Sequence, residues 1–541
     1  MIVMGGNRRL NRPALYPGVH FRDTAREAGL NYVWQIEGGR TPNILQTIGN
    51  GCAFLDFNND NNLDILLIGT HPALYQGNGK GQFIDVTAIT GLSALTGQFL
   101  GCAVGDIDGD GYDDIYISGY QTGILLHNEA GKNFRDITEQ SGVKPQPWGT
   151  SCAFAETSPG SGKLDLYIAN YVVFGPDVSP QLCTSGKGVS VSCGPEDYAP
   201  LKGAFYRNDG TGRFTDETKE RGLDTSNGKG LGVFFANLKD ARTPYLLVAN
   251  DRMYGDLFDL SQSKNSTPAK NIGVLSGVAY DRDGNSHAGM GIDCGDYDND
   301  GRLDIFVTTF ANEPRSLYRN NGEGQFSDIG MSTGFDPMRS QYVAFGCKFF
   351  DFDNDGWLDI IIANGHVQAA VHDINPGQDF KQPIQLFRNS GGAHPGFDDV
   401  SPSSSVFNQL IIGRGLATGD YDNDGKMDVL VVDSSGHPLL LHNESERNGH
   451  WLTVQLIGKQ SNRNGYGAML TAKAGAHTFL RASQTCGSYF SASDKRVHFG
   501  LGNDTKVDSL TVKWPSGKID TFKNLTVDRM VTLQEGDQTV H

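Results

Sequence analysis

No run of apolar residues in this 541-residue chain reaches the ~18 to 20 needed to cross a bilayer as a helix, so no membrane span is expected. Basic residues are in deficit. With 45 Lys and Arg against 62 Asp and Glu the formal charge is −17, which leaves no basic patch to displace counterions and excludes nucleic acid as a partner. Eight cysteines are too few for a disulfide scaffold of this size. A serine nucleophile elbow, a phosphate-binding loop, a dinucleotide fingerprint and an HExxH zinc helix are all missing. The N-terminal stretch, residues 1–18, has no apolar core of signal-peptide length and reads as a flexible lead-in.

Glycine, by contrast, is abundant. The 70 glycines make up about 13% of the chain against a usual ~7% and follow no G-X-Y period, which predicts many tight turns and therefore many short strands.

One nine-residue pattern recurs. DIDGDGYDD (106–114), DYDNDGRLD (296–304), DFDNDGWLD (351–359) and DYDNDGKMD (420–428) are close copies, and DFNNDNNLD (56–64) is a looser one. Side-chain oxygens stand at positions 1, 3, 5 and 9. They belong to Asp56, Asn58, Asp60 and Asp64; Asp106, Asp108, Asp110 and Asp114; Asp296, Asp298, Asp300 and Asp304; Asp351, Asp353, Asp355 and Asp359; and Asp420, Asp422, Asp424 and Asp428. Position 6 is Gly in four copies and Asn61 in the fifth, residues that tolerate a left-handed backbone. Carboxylates at 1, 3 and 5 then converge on one hard cation, joined by the backbone carbonyl at position 7, supplied by Asn62, Tyr112, Arg302, Trp357 and Lys426. All-oxygen ligation in a flexible loop favours Ca²⁺ over Mg²⁺, and the lack of His or Cys disfavours zinc. An EF-hand is excluded, because position 12 is Leu67, Ile117, Val307, Ile362 or Val431 and a β-prone run follows instead of a helix.

Positions 1, 3, 5 and 9 hold 19 of the 62 acidic residues, packed closely enough to repel one another unless neutralised. The ten positive charges of five Ca²⁺ ions would bring −17 to −7. About five structural ions are therefore expected. Two further repeats, AETSPGSGKLD (155–165) and NLKDARTPY (237–245), have lost the acids and are expected to be ion-free, with the Lys239 ammonium either standing in for the cation or simply exposed.

Each loop is followed by a strand, a Gly-rich hairpin and another strand, as in LYRNNGEGQFSDIG (317–330). Seven four-stranded units predict an all-β fold, a seven-bladed β-propeller with integrin-like calcium loops over 19–445, plus a small β-rich domain over 446–541. The seventh unit stops without its last strand at PLLLHNE (438–444), and FRDTAREAGL (21–30) is an orphan last strand carrying the F-x-D of the complete repeats. The chain's start is thus expected to close the last blade. The C-terminal domain is expected to attach just after that blade, near Arg447.

The aspartate loops, the LYRN turns, GMGIDCGDYDNDG (289–301) and IIANGHV (361–367), together with NGHWLTVQLIG (448–458), NRNGYGA (462–468), CGSYFSASDKRVHFGLG (486–502) and VKWPSGKID (512–520), resemble the FG-GAP/VCBS propellers that carry a C-terminal ASPIC/UnbV domain. The resemblance spans nearly the whole chain from about Val19. It implies an architecture without a shared reaction; animal members resemble extracellular-matrix proteins, and some bacterial members occur with enediyne biosynthesis. Cys486 stands where the family usually has Gly.

Cys183 and Cys193 lie in one Pro/Gly/Ser-rich insertion and are expected to form a disulfide, which places the protein in an oxidising compartment, secreted, extracellular or periplasmic. Cys52, Cys102, Cys152 and Cys347 fall at equivalent places before the loops, around the channel, either packing between blades or holding a soft metal. Three long connections, 171–204, 251–288 and 364–383, should emerge opposite the calcium loops and form the binding face. It offers Arg252, His287, His366, His372 and Asp373, of which the last three are either a metal or acid/base group or hydrogen-bonded loop residues. Sequons begin at Asn265, Asn443, Asn503 and Asn524. The sequence thus predicts a calcium-stabilised binding or scaffolding protein for a glycan or an extracellular protein, or alternatively a polysaccharide-acting or biosynthetic enzyme using the same face.

Overall fold

The structure is a computed structural model that describes residues 16–36, 42–239, 244–261, 268–336, 340–446 and 449–541. Most of the expected lead-in, residues 1–15, and the expected attachment point at Arg447 lie outside the described residues, as does the sequon asparagine Asn265. Strands dominate, and the helices among the described residues are single turns of three or four residues. No helix is long and apolar enough to cross a membrane.

Each repeat becomes an antiparallel meander. The first runs Cys52–Leu55, Asp64–Leu67, Ala73–Gly77 and Phe83–Asp85, and the units beginning at Gly230, Ile292 and Ala344 keep that order. The second and third units share one seven-stranded sheet. Asp114–Asn128 continues unbroken through the places of two strands, and its middle pairs Tyr120 with Trp148 and Thr122 with Gln146. The last unit combines Gly413–Gly419, Asp428–Asp433 and Leu439–Asn443 with the N-terminal Phe21–Asp23, in the register Phe21 opposite Asn443 and Asp23 opposite Leu441. The strand exchange is real but short. Residues after Asp23 turn inward, burying Ala25, Ala28 and Leu30 against Phe54 and Leu63 of the first unit.

Apolar clusters fill the wedges between neighbouring units. Leu66 and Ile68 pack with Val104 and Ile115, and Phe54 and Ile65 pack with Ala417 and Leu430, so the last unit abuts the first. Such burial is the main driving force for closing the ring. A polar device repeats with it. The Asn of each LYRN-type turn donates its side-chain amide to a carbonyl of the preceding unit: Asn128 to Phe57 (2.8 Å), Asn208 to Ile107 (2.7 Å), Asn389 to Tyr297 (2.9 Å) and Asn443 to Phe352 (2.8 Å). Asn443 is fully buried in this role, which rules it out as a glycan acceptor in the folded chain.

The C-terminal domain packs a three-stranded sheet, with His450–Ile457 between Val497–Gly502 and Arg529–Gln534, against a four-stranded one around Leu452, Val454, Leu470, Phe499 and Trp514. It packs on more than the last blade. Contacts extend across the loop face: Asn462 donates to Glu156 of the third unit, Asn464 accepts from the Asp106 amide, Lys495 pairs with Asp113, and His498 meets Asn354. This packing was not legible beforehand, because a domain-domain face has no periodicity of its own.

Candidate functional site

The five aspartate loops share one geometry. Left-handed backbone occurs at position 6 as expected and also at position 4, occupied by Asn59, Gly109, Asn299, Asn354 and Asn423. The position-4 amides of Asn59, Asn299 and Asn354 donate to the position-6 carbonyls of the next loop, Gly111, Gly356 and Gly425, at 2.8 to 3.1 Å. Where the next unit has no aspartate loop, position 4 is Gly109.

Position 1 accepts two backbone N–H groups; Asp351 takes those of Asp355 (3.1 Å) and Gly356 (2.8 Å). Position 9 is pinned twice as well, Asp359 accepting from Phe352 and Asn389. Asp165 of the third unit keeps that pinning, accepting from the Asn208 amide at 2.9 Å and the Thr157 hydroxyl, although its loop has lost the other acids. Position 9 is therefore structural in its own right.

The loop oxygens converge. Those of Asp106, Asp108 and Asp114, and of Asp296, Asp298 and Asp300, lie within 4.8 Å of one another. Asp353 Oδ1 and Asp422 Oδ1, both at position 3, are buried without a hydrogen-bond partner, an expensive state for a carboxylate. Burial pushes Asp64 up to about 8, Asp296 and Asp428 to about 7, and Asp106 to about 6. Cationic side chains sit at the margins. Arg319 reaches Asp298 (2.7 Å), Arg388 reaches Asp353 (2.8 Å) and His127 reaches Asp108 (3.0 Å). Arg481 of the C-terminal domain is buried where its charge acts on both Asp296 and Asp351. In the fourth unit Lys239 faces Glu323 at 3.4 Å and is half exposed, so it is a surface lysine and does not replace a cation.

The C-terminal domain also enters the ring. Its segment 486–494 runs into the channel, where Ala492 exchanges hydrogen bonds with Cys52 and Phe54, Ser488 with Ile292, the Phe490 carbonyl accepts from Cys102, and Asp494 donates to Thr418. The Phe490 amide donates to Ser151, and Tyr489 packs on Phe345 with ring centroids 4.9 Å apart. Gly51 is required for this approach, since a Cβ there would lie 1.9 Å from the Phe490 carbonyl oxygen. The channel cysteines pack against the segment, Cys102 Sγ lying 3.9 Å from the Phe490 carbonyl, and burial pushes the Cys52 thiol up to about 12. These are packed thiols.

Filled from the loop side, the channel opens on the insertion face. A cavity of about 220 Å³ remains there, floored by Tyr489 and Phe345 and walled by Tyr171, Leu231, Met290 and Phe310, with Glu196, Asp251, Arg252 and Gln368 among its polar groups. Tyr171 donates to Asp251 Oδ2 at 2.5 Å, and burial pushes Asp251 up to about 6. The Cys183–Cys193 disulfide forms at the rim and closes a hairpin of Leu182–Thr184 with Ser190–Ser192, where no strand was expected.

Arg252 and His287 do come together, both flanking Glu313 at 3.7 Å, while His287 Nε2 meets Asp281 at 2.7 Å. His366, His372 and Asp373 do not form a group. His366 is buried beside Phe310, its Nδ1 accepting from the Gln368 amide, and His372 is exposed on Asp379 at 3.2 Å. Glu196, Glu313 and Tyr489 escaped the sequence reading. Only the position of CGSYFSAS between two strand-like stretches hinted that this segment served something outside its own sheet.

The FG-GAP-like repeat family model matches residues 56–117, 296–362 and 351–431, and the ASPIC and UnbV model matches 458–540. The chain is 25% identical over 509 residues to cartilage acidic protein 1 of Xenopus tropicalis, covering 87% of this chain and 71% of that one. It is 24% identical over 530 residues to cartilage acidic protein 1 of Homo sapiens, covering 90% and 71%. Among solved structures, an Agrocybe aegerita protein described as recognising non-reducing terminal N-acetylglucosamine overlaps with TM-score 0.42 and 16% identity, covering 72% of this chain and 87% of that one.

Proposed function

We propose that this chain is a secreted, calcium-stabilised binding protein that recognises a glycan or an extracellular protein on its insertion face. One observation carries the reading: segment 486–494 enters the channel, and beside it at the insertions a cavity remains where aromatic walls meet a few polar groups, the usual build of a ligand site. The disulfide and the similarity to cartilage acidic protein 1 support an extracellular setting.

The loop residues fit Ca²⁺. Carboxylates at positions 1, 3 and 5 converge in the loop of Asp296, Asp298 and Asp300, and two position-3 oxygens are buried and unpartnered, while His127 and His442 stand beside the carboxylates of two other loops. Bound there, the ion would neutralise crowded charge and rigidify the loop face; the protein's own part is to present pre-turned oxygens through the position-1 hydrogen bonds. A glycan array and a panel of extracellular-matrix proteins, screened in millimolar Ca²⁺, test the binding role. Binding that survives Arg252→Ala combined with Tyr254→Ala on the insertion face would contradict the assignment of the face.

A second reading is catalysis at the same cavity. It is favoured by Asp251, a carboxyl held near neutrality beside Tyr171 and suited to proton transfer. Turnover of a polysaccharide that is lost in Asp251→Asn, with binding retained, would select it.

A further inference from the structure

The lining of the insertion-face cavity is asymmetric in hydrogen bonding. Two of its donors are already engaged, the Tyr171 hydroxyl on Asp251 and the Gln368 amide on the Ser192 carbonyl at 2.8 Å, while the Arg252 guanidinium lies loosely against Glu313 at 3.7 Å and the Phe310 ring. The nearby Lys229 ammonium is taken by the Pro195 carbonyl at 2.8 Å. Two carboxylates, Asp251 and Glu196, face the same space. Glu196 is folded back over Gly194, where a Cβ would lie 2.4 Å from its Oε2, so the glycine lets this acid lie along the cavity wall. A ligand entering here meets two carboxylate acceptors on one wall. A group that only donates is well matched to two carboxylates.

The other walls are apolar and aromatic. Phe310, Phe345, Tyr489, Met290 and Leu231 surround about 220 Å³, and a dry cavity of ~150 Å³ already suffices for benzene. Space remains for a short polar tail. Ring faces also attract cations. The buried Asp251 carboxylate has Tyr171 as its close partner and no cation in contact, a state that an ammonium would relieve.

We propose that this cavity binds a small aromatic primary amine, its ammonium held by Asp251 and Glu196 and its ring laid against Phe345 and Tyr489. The site is composite. The C-terminal domain supplies Tyr489, whose hydroxyl is anchored on the Ile48 carbonyl at 2.9 Å, so the plug in the channel is also the floor of the pocket. The proposal rests on reading this face as the binding face, and it names a ligand that a glycan or protein partner at the rim need not carry.

Titration calorimetry on the full chain in Ca²⁺ tests it with 2-phenylethylamine, 2-phenylethanol, 3-phenylpropionate and N-acetylglucosamine. The amine should bind one to one and at least 10-fold more tightly than the isosteric alcohol or the acid. Asp251→Asn should lose at least 10-fold for the amine and little for the alcohol. Tyr489→Leu should weaken both; if that variant fails to fold, Phe310→Leu reports on the aromatic wall instead. Equal or tighter binding of 3-phenylpropionate or the sugar, amine binding unchanged in Asp251→Asn, or no amine binding by natively melting protein would each overturn the proposal. Partner capture at the rim in the glycan and matrix screens would persist in that event, so the two readings fail separately.

Discussion

Asn443 holds the neck of the ring: its side-chain amide donates to the Phe352 carbonyl in the preceding unit at 2.8 Å and to its own unit's Met427 carbonyl at 3.2 Å. Asn443→Ala leaves two buried carbonyls without partners, at about 1 to 3 kcal/mol for each. Denaturant unfolding in Ca²⁺ should show that loss. Intact-mass analysis of protein from a glycosylating host should show sugar at most at the other sequons, because Asn443 is inaccessible once folded.

The paired chain ends predict different outcomes for two truncations. Removing residues 1–15 should leave the melting temperature unchanged. Removing 1–30 deletes the Phe21–Asp23 ladder and the buried Ala25, Ala28 and Leu30, opening the junction between the last and first units. Limited proteolysis should then cut near 428–443. Equal melting of the two truncations would contradict closure by the N-terminal strand.

This closure was readable from chain order, because an orphan F-x-D strand at one end matched a missing strand at the other. The aspartate loops were readable for a similar reason: ligand chemistry is local and repeats. Two features were not. The Asn of LYRN looked like a turn residue, and only the ring reveals that its amide crosses to the neighbouring unit. CGSYFSASDKR has neither strand nor helix periodicity, since its shape is set by seven surrounding strands and a glycine, Gly51, more than 400 residues away in sequence. Of the two readings left open for His366 and His372, the structure shows hydrogen-bonded loop residues, because nearness in sequence says nothing about which side of a loop each ring takes.

Segment 486–494 makes the two domains one cooperative unit. A chain ending at Glu446 loses the partners of the Phe54, Cys102 and Ile292 amides and exposes Phe345 and the channel wall. It should expose dye-binding apolar surface and aggregate. A monodisperse truncated propeller melting within a few degrees of the full chain would contradict this coupling.

His366 gives a pH dependence of definite sign. Burial, helped by the nearby Arg414 charge, lowers its pKa to about 4 from the ordinary 6.5. Protonation therefore opposes folding, and the stability that neutral His366 permits is lost as pH falls from about 6.5 toward 4. The full effect is of the order of 3 kcal/mol. His366→Gln, which can still accept from the Gln368 amide, should be less sensitive across that window. Parallel stability profiles for wild type and variant would show that His366 is not buried as a neutral group.

Anomalous scattering from crystals grown in Ca²⁺ tests the central account most directly. Five peaks are predicted, in the loops that begin at Asp56, Asp106, Asp296, Asp351 and Asp420, each with carboxylate oxygens at ~2.3 to 2.6 Å, and none beside 155–165 or 237–245. Loops without peaks, or peaks coordinated by water alone, would contradict it.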